Sequence, residues 1–451
     1  MYVRTILGVE LLLGTITVDV PACSPRHLGF YCHERTTLMS TSVRFSTTLS
    51  LAAIVGLVPF AIDMYLASLP QISQEFTAPV WVTQLTLTGY LLLLGLGQLF
   101  AGPLSDAIGR RKPLMIGLAL FIVGSVVAAL APNITTLVLA RLLQGVGGAL
   151  AAVVATSTVR DRAEGPAAMK LFAVLMTVSA LAPIVAPAAG GLLEGAAGWR
   201  SVFWTLAGLG VIVSLTSWFA LPESLPKLSR HPLKLRGVLS AYSTLLRTSS
   251  FSLPLAALAT MFMLLFAYIG GASYVYQDQF GISPQTFGLV FGGTGAALML
   301  GAIVANRFAE KTGAYQLSII GIIISLIGAA AAVLVTAATM PLGALVAAMS
   351  VAMFGLGLSE PALMSLCMSA VQRHTGQAAA LIGAGQFALG AVATTFAGIL
   401  AARGALPWVL LLVGLAIVAL VLAVIGSRSI NTKSSTMQTA EQATGVPVPT
   451  A

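Results

Sequence analysis

A carboxylate stands inside an apolar run in "FAIDMYLASLP", residues 60–70, and no other charge occurs between Arg44 and Asp63. A charge at mid-helix in a bilayer costs about 2.5–3.5 kcal/mol on insertion scales, so Asp63 should face protein or a water-filled cavity. Burial favours the neutral acid, and a carboxyl poised in this way can take a proton from one side and release it to the other. The plainer reading is a satisfied polar residue near the end of its helix, seven residues before Pro70. Arg141 opens a second apolar run in "LVLARLLQGVGGALAAV". Its guanidinium keeps its charge and therefore needs a carboxylate, carbonyls or water. It either faces the cavity, where it would oppose the desolvation of Asp63, or snorkels to the interface. Gln144, three residues on, shares its helix face.

Glu360, in "GLGLSEPALMSL", is a third embedded charge and a candidate member of a proton relay, at the cavity or at its inner mouth. Tyr65, Tyr90, Phe266, Tyr268 and Tyr274 offer aromatic walls for a drug-sized molecule, or else pack in the protein or against lipid. "GPLSDAIGRRKPL" (102–114) combines a Gly102 turn, the acid Asp106, Gly109 and the basic run Arg110, Arg111 and Lys112, which reads as a gate as well as a topology anchor. "LAPIVAPAAGG" (181–191) puts Pro183, Pro187, Gly190 and Gly191 in one apolar run, a pattern for a bend with close helix approach and hence a hinge or seal.

The elements that carry these residues follow from composition. The 451 residues are 57% hydrophobic and 8% charged, against roughly 25% charged for a soluble domain. Apolar runs long enough to span a bilayer are expected at 47–69, 81–101, 113–131, 136–158, 171–193 and 200–221, then at 252–276, 285–306, 315–338, 341–370, 378–402 and 406–427. The expected fold is an all-α membrane protein of twelve helices in two six-helix bundles, 47–221 and 252–427. They are joined by a polar central loop at 222–251, preceded by a leader at 1–46 and followed by a disordered tail at 428–451. Met39 reads as the biological start, with 1–38 an upstream over-extension; the alternative reading is a genuine, weakly ordered cytoplasmic leader. After Arg44, only Arg200 and Arg403 fall on the opposite side from Arg44, and Arg141 lies within a span. The other basic residues share Arg44's side, which puts both termini and the central loop in the cytoplasm. The net charge of +9 is thus a matter of topology, with no nucleic-acid partner implied.

A weak internal repeat aligns 60–76 with 266–281 and "GVGGAL" (145–150) with "GLGLSE" (355–360), placing Ile269 opposite Asp63 and Val351 opposite Arg141. The cysteines Cys23, Cys32 and Cys367 are too scattered for a metal site or a disulfide framework, and Cys367 reads as a packing residue. A membrane enzyme is disfavoured, because His27, His33, His231 and His374 lie outside the spans or near their ends and neither a GxxxxGK[ST] loop nor HExxH occurs.

Taken together these stretches resemble the major facilitator superfamily, and more narrowly its twelve-span drug/proton antiporter branch. "GPLSDAIGRRKPL" is similar to that superfamily's loop between helices two and three, "LARLLQGVGGAL" to its fourth-helix arginine motif and "APIVAPAAGG" to its antiporter motif. "DMYLASLP", with "QLTLTGYLLLLGLGQLFAGPLSD" after it, resembles the Bcr/CflA group of drug-resistance exporters. The resemblance implies alternating access in a bacterial inner membrane. Inward proton flow would expel small amphipathic antibiotics such as chloramphenicol or bicyclomycin-like compounds, with the proton as coupling ion and no other cofactor, and with a monomer as the default. It assigns Asp63, Arg141, Asp106 and Arg110 to the matching motif positions. Three departures stand out: Ala67 where proline is common, Ala107 where a basic residue is common, and Ala186 where glycine is general. Rival readings are an exporter or symporter of a metabolite such as a sugar or amino-acid derivative, and a sensor that binds without transporting.

Overall fold

The computed structural model describes residues 44–230, 232, 235–371 and 374–444. The expected leader up to residue 43, together with His231, Lys234 and Arg373, lies outside the described residues. Among the described residues twelve helices are long and apolar enough to cross a membrane, one for each expected span.

The first crossing is broken: α1 (Phe45–Asp63) ends at the carboxylate, a 3₁₀ turn covers Leu66–Ser68, and α2 (Leu69–Glu75) completes it. Then come α3 (Val80–Ile108), α4 (Arg111–Ala129), α5 (Ile134–Arg162), α6 (Gly165–Ala197) and α7 (Trp199–Ala220). The central segment forms one short helix, α8 (Leu235–Arg247). The second half follows as α9 (Ser249–Tyr274, extended by a π turn through Gln279), α10 (Pro284–Thr312), α11 (Ala314–Ala337), α12 (Leu342–Ser369), α13 (Thr375–Ala401) and α14 (Ala405–Thr444). The helices overrun the apolar runs because their polar ends still satisfy every backbone group internally. Hence Gly102 is mid-helix in α3, not in a turn, and the turn falls at Gly109, whose φ of +95° suits a residue without Cβ. Likewise α14 continues through Thr444 where a disordered tail from 428 is expected.

Local signals mark several helix starts. The Asn133 side chain accepts from Thr136 N–H (2.9 Å) at α5, and Ser283 Oγ accepts from Thr286 N–H (3.2 Å) ahead of Pro284 at α10. Leu139, Leu192, Leu289, Leu334 and Phe396 are exposed, as an apolar belt facing lipid requires. We call the side bearing Arg110, Arg111 and α8 the basic face and its opposite the far face. On the basic face α8 buries Ala241, Tyr242 and Leu245 and the Tyr242 hydroxyl donates to the Leu99 carbonyl (2.8 Å), so the linker is docked.

Two helix pairs join the halves. In one, α3 meets α13, with Gly95 against the Ala388 backbone and Gly398 against Gln84. In the other, α6 meets α10, with Gly288, Gly292 and Gly295 set against the carbonyls of Pro187, Ile184 and Pro183. Small residues permit this approach where lipid supplies no hydrophobic drive for association. Gly288→Val should therefore lower stability by about 1–3 kcal/mol, as overpacking does, whereas Gly293→Ala, with open space around it, should be neutral. Thermal unfolding of the detergent-solubilised protein, followed by tryptophan fluorescence, checks both.

Candidate functional site

Asp63 is the last residue of α1 and is 4% exposed. Among the described residues no hydrogen bond or ion pair reaches its carboxylate. The chain breaks directly after it although Ala67 takes the place of proline, so that departure does not remove the break: a 3₁₀ turn and Pro70 near the start of α2 supply it.

Arg141, on α5, is fully buried and does not snorkel. Its Nε donates to the Thr86 carbonyl (3.3 Å) and its Nη1 to Gln144 Oε1 (2.5 Å). Gln144 Nε2 in turn donates to Ser125 Oγ (2.8 Å), which donates to the Phe121 carbonyl (2.7 Å). The guanidinium carbon sits 4.3 Å from the Tyr90 ring centroid, 4.8 Å from that of Tyr65 and 5.8 Å from that of Phe203. Tyr65 OH meets Thr86 Oγ1 at 2.7 Å, and Tyr90 OH donates to the Val58 carbonyl (3.3 Å). Arg141, Gln144, Tyr65 and Tyr90 thus form one cage, held by cation–π contacts, that does not pair Arg141 with Asp63. Nη2 has no hydrogen-bond partner among the described residues.

The second half repeats the frame without the charge. Tyr268 OH meets Thr294 Oγ1 at 2.8 Å and its ring stacks on Phe291 (5.1 Å) and Trp408 (6.0 Å), matching Tyr65 with Thr86 and Phe203. Counting back two positions puts Phe266, packed on Phe262 and Phe387, opposite Asp63 in place of Ile269. On α4, Gly117 approaches the Gly147 carbonyl and Gly124 the Ala140 carbonyl; on α11, Gly321 approaches that of Gly355 and Gly328 that of Ala348. These four contacts put buried Met349, not lipid-exposed Val351, opposite Arg141. The expected repeat is thus off by three residues in the first crossing and by two in the fourth, because short sequence similarities and glycine spacing fit more than one alignment. Embedded charge is still concentrated in the first half.

At the far face the halves are closed. Among the described residues four side-chain hydrogen bonds join the two sets of spanning helices, all toward this face. They run from Gln84 to the Gly270 carbonyl (2.6 Å), Thr88 to Thr395 (2.7 Å), Ser273 to the Leu66 carbonyl (2.6 Å) and Gln277 to the Ala67 carbonyl (3.1 Å). Tyr274 lies in this seal, buried, with a hydroxyl that has no hydrogen-bond partner among the described residues. Gly190 approaches the Met64 carbonyl and Gly191 that of Pro284, so the Pro183–Gly191 motif packs against both the break after Asp63 and the opposite half. Glu194, 4% exposed and absent from the sequence-based candidates, accepts from Ser68 Oγ (2.5 Å). Glu360 is half-buried on α12, and among the described residues no hydrogen bond or ion pair reaches it.

At the basic face Arg110 is the hub. It binds Asp106 (2.6 Å), Asp161 (2.9 Å) and Ser105 (2.7 Å) through its side chain, and its N–H donates to Glu223 (2.8 Å). Arg111 donates to the Trp218 carbonyl (3.0 Å) and lies 4.4 Å from that indole centroid. The space a Cβ would need at Gly109 is taken by Glu223 and Arg230, so glycine is required there for packing as well as for φ. Asp161 and Glu223 were missed because "RDR" (160–162) and "PES" (222–224) read as helix-end charges, each far in sequence from Arg110. Beside this network a cavity of about 440 Å³ opens between α3, α5, α8 and α13, lined by Gln98, Asp106, Arg160, Tyr242 and Gln377 among others. None of the six residues proposed for a substrate wall, Tyr65, Tyr90, Gln144, Phe266, Tyr268 and Tyr274, lines it.

Two pseudo-equivalent helical halves, closed on one face and latched by a charge network on the other, define a multi-pass membrane transporter. The family model of the Major Facilitator Superfamily matches residues 51–395 and 269–449, and the chain belongs to that superfamily. It is 37% identical over 353 residues to the uncharacterized MFS-type transporter YdgK of Bacillus subtilis, covering 78% of this chain and 87% of the relative. It is 29% identical over 355 residues to a bicyclomycin resistance protein homolog of Haemophilus influenzae, covering 77% and 87%. A 174-residue stretch, 39% of this chain, is 34% identical to the multidrug resistance protein MdtL of Vibrio parahaemolyticus, of which it covers 44%. Solved structures share the fold at low identity. A D-xylose–proton symporter superposes with a TM-score of 0.67 (18% identity; 85% of this chain, 97% of that one). A POT family transporter superposes at 0.70 (14%; 85% and 96%).

Glu223 supplies a pH test of the basic-face latch. Burial works against its charge, but the N–H groups of Arg110, Leu225 and Arg111 and the Arg230 guanidinium outweigh it and hold the carboxyl below its ordinary value. Its stabilisation is therefore fully present above the unfolded-state value of about 4.3 and is lost as pH falls through the lower folded value. Thermal unfolding between about pH 6 and pH 3 should show this loss in wild type, and Glu223→Gln should remove part of the slope.

Proposed function

We propose that this transporter is a proton-coupled exporter of small amphipathic antibiotics across the bacterial cytoplasmic membrane, with chloramphenicol or bicyclomycin-like compounds as the substrate class. The observation that carries the reading is Asp63: a buried, unpaired carboxyl placed where the first crossing breaks, next to the seal between the halves. The drug-resistance names of two relatives support the substrate class.

The excess of basic residues on one face makes that face cytoplasmic. The conformation is then one in which the outer path is shut and the basic-face cavity, of a size that suits a drug-sized ligand, serves loading from the cytoplasm. Protonation of Asp63 from outside removes a charge from the break and favours drug release outward; deprotonation to the cytoplasm resets the site. Arg141 is held in its own cage and forms no salt bridge with Asp63, so the carboxyl remains free to exchange its proton. With a neutral drug each cycle moves net charge inward, worth about 2.3 kcal/mol per 100 mV. That sustains a concentration ratio of tens-fold before any pH gradient is added. Glu360, in the other half, is a second candidate for the relay.

Everted membrane vesicles loaded with a pH indicator test this directly, with chloramphenicol leading a small panel that includes a lipophilic cation. Wild type should release protons on drug addition, and Asp63→Asn should lose that release while retaining drug binding. Equal release from both proteins would remove Asp63 from the relay and point to Glu360. No release with any compound from well-expressed wild type would overturn drug antiport in favour of another solute.

A further inference from the structure

The 3₁₀ turn after Asp63 is fully buried, and each of its three residues is tied to a different partner. The Leu66 carbonyl accepts from Ser273 and the Ala67 carbonyl from Gln277, both on the opposite half, while Ser68 Oγ donates to Glu194 on α6. The first two bonds are half of the side-chain hydrogen bonds that join the spanning halves directly. The third fixes the turn that presents them. We propose that Glu194 is a positioning residue of the far-face gate, whose carboxylate holds this turn through Ser68, so that adding a proton to Glu194 loosens the seal. The proposal rests on the reading of the chain as an alternating-access exporter.

The chemistry favours a switch over a plain structural bond. A hydroxyl donating to a carboxylate is roughly twice as strong as a neutral pair, and protonation removes that advantage. Among the described residues no other hydrogen bond or ion pair holds the charge in place. The ionisable groups that act electrostatically with Glu194 are Tyr65 beside the turn and Glu75 at the end of α2; Arg200 at the start of α7 and Asp278 in the π turn of α9 are the other ionisable groups on the neighbouring helix ends. Arg200 is engaged by Glu75 at 2.7 Å, and Trp199 Nε1 donates to the same carboxylate (2.7 Å). The facing end of α10 presents Ser283, Pro284 and Gln285, none of them ionisable. Glu194 is thus a buried acid with no ion-pair partner among the described residues. The turn links it to Asp63 within six residues, so a proton at the outer end of the break and one at its inner end act on the same backbone segment.

The test uses the full chain with Cys23, Cys32 and Cys367 replaced by serine and a reporter at Thr83→Cys, a fully buried position next to Gln84 in the seal. A membrane-impermeant maleimide is applied from the far face across about pH 8 to 5.5, and each rate is divided by that of exposed Thr339→Cys to remove the thiol's own pH response. Labelling of the otherwise unaltered reporter should rise as pH falls. Ser68→Ala and Glu194→Gln should raise it at high pH, on the order of tenfold, and flatten its pH profile, while Glu194→Asp restores the slope. A Glu194→Gln profile that parallels wild type, or Ser68→Ala with unchanged labelling, overturns the proposal. If Glu194→Gln does not assemble, Ser68→Ala decides alone, since the same bond is lost from its other end. The assay needs neither drug nor proton gradient, so its failure is separable from failure of the antiport reading.

Discussion

A guanidinium that cannot shed its charge, placed where neither water nor lipid can solvate it, dictates much of the first half. Arg141 draws a carbonyl from α3, an amide from its own helix, a hydroxyl behind that amide from α4, and aromatic faces from α3, α7 and the turn after α1. The partners are spread over α3, α4, α5, α7 and the turn after α1, so satisfying one charge orients most of the bundle. The second half has the same tyrosine–threonine hydrogen bond and the same stack on a late helix, but Met349 stands where the arginine would be. The halves therefore share a scaffold and differ in electrostatics, with embedded charge concentrated in the first.

The cage also explains why Asp63 stands apart. With Nε and Nη1 committed to Thr86 and Gln144 and its face to tyrosine rings, Arg141 makes no contact with Asp63. A direct ion pair would hold Asp63 ionised and remove it from proton exchange. The break after Asp63 then brings the carboxyl next to the only segment of the first half whose backbone carbonyls accept side-chain hydrogen bonds directly from the second, among the described residues. Charge state and closure meet in about six residues.

The two faces are held by different physics. The far face depends on glycines that let carbonyls approach neighbouring backbones and on a few neutral hydrogen bonds. The basic face depends on Arg110, shared among Asp106, Asp161 and the C-terminal end of the half through Glu223. Such a network, partly exposed to solvent, is weakened by water and salt, which suits a latch that must release.

Twelve crossings, two equal halves and the basic asymmetry were legible in the residues alone, because the bilayer imposes a length and a polarity on every segment separately. Asp63 and Arg141 were legible for the same reason: a charge in an apolar run stands out without any knowledge of its neighbours. What surrounds them was not. The register of the repeat, the cage that keeps Arg141 from Asp63, the places of Asp161 and Glu223 beside Arg110, and the bond from Glu194 to Ser68 all join residues that are far apart in the chain. Charges at helix ends look alike in sequence, and glycine spacings admit several alignments. Only packing between helices selects among them, because a buried polar group is defined by its partner and the partner is supplied by the tertiary fold.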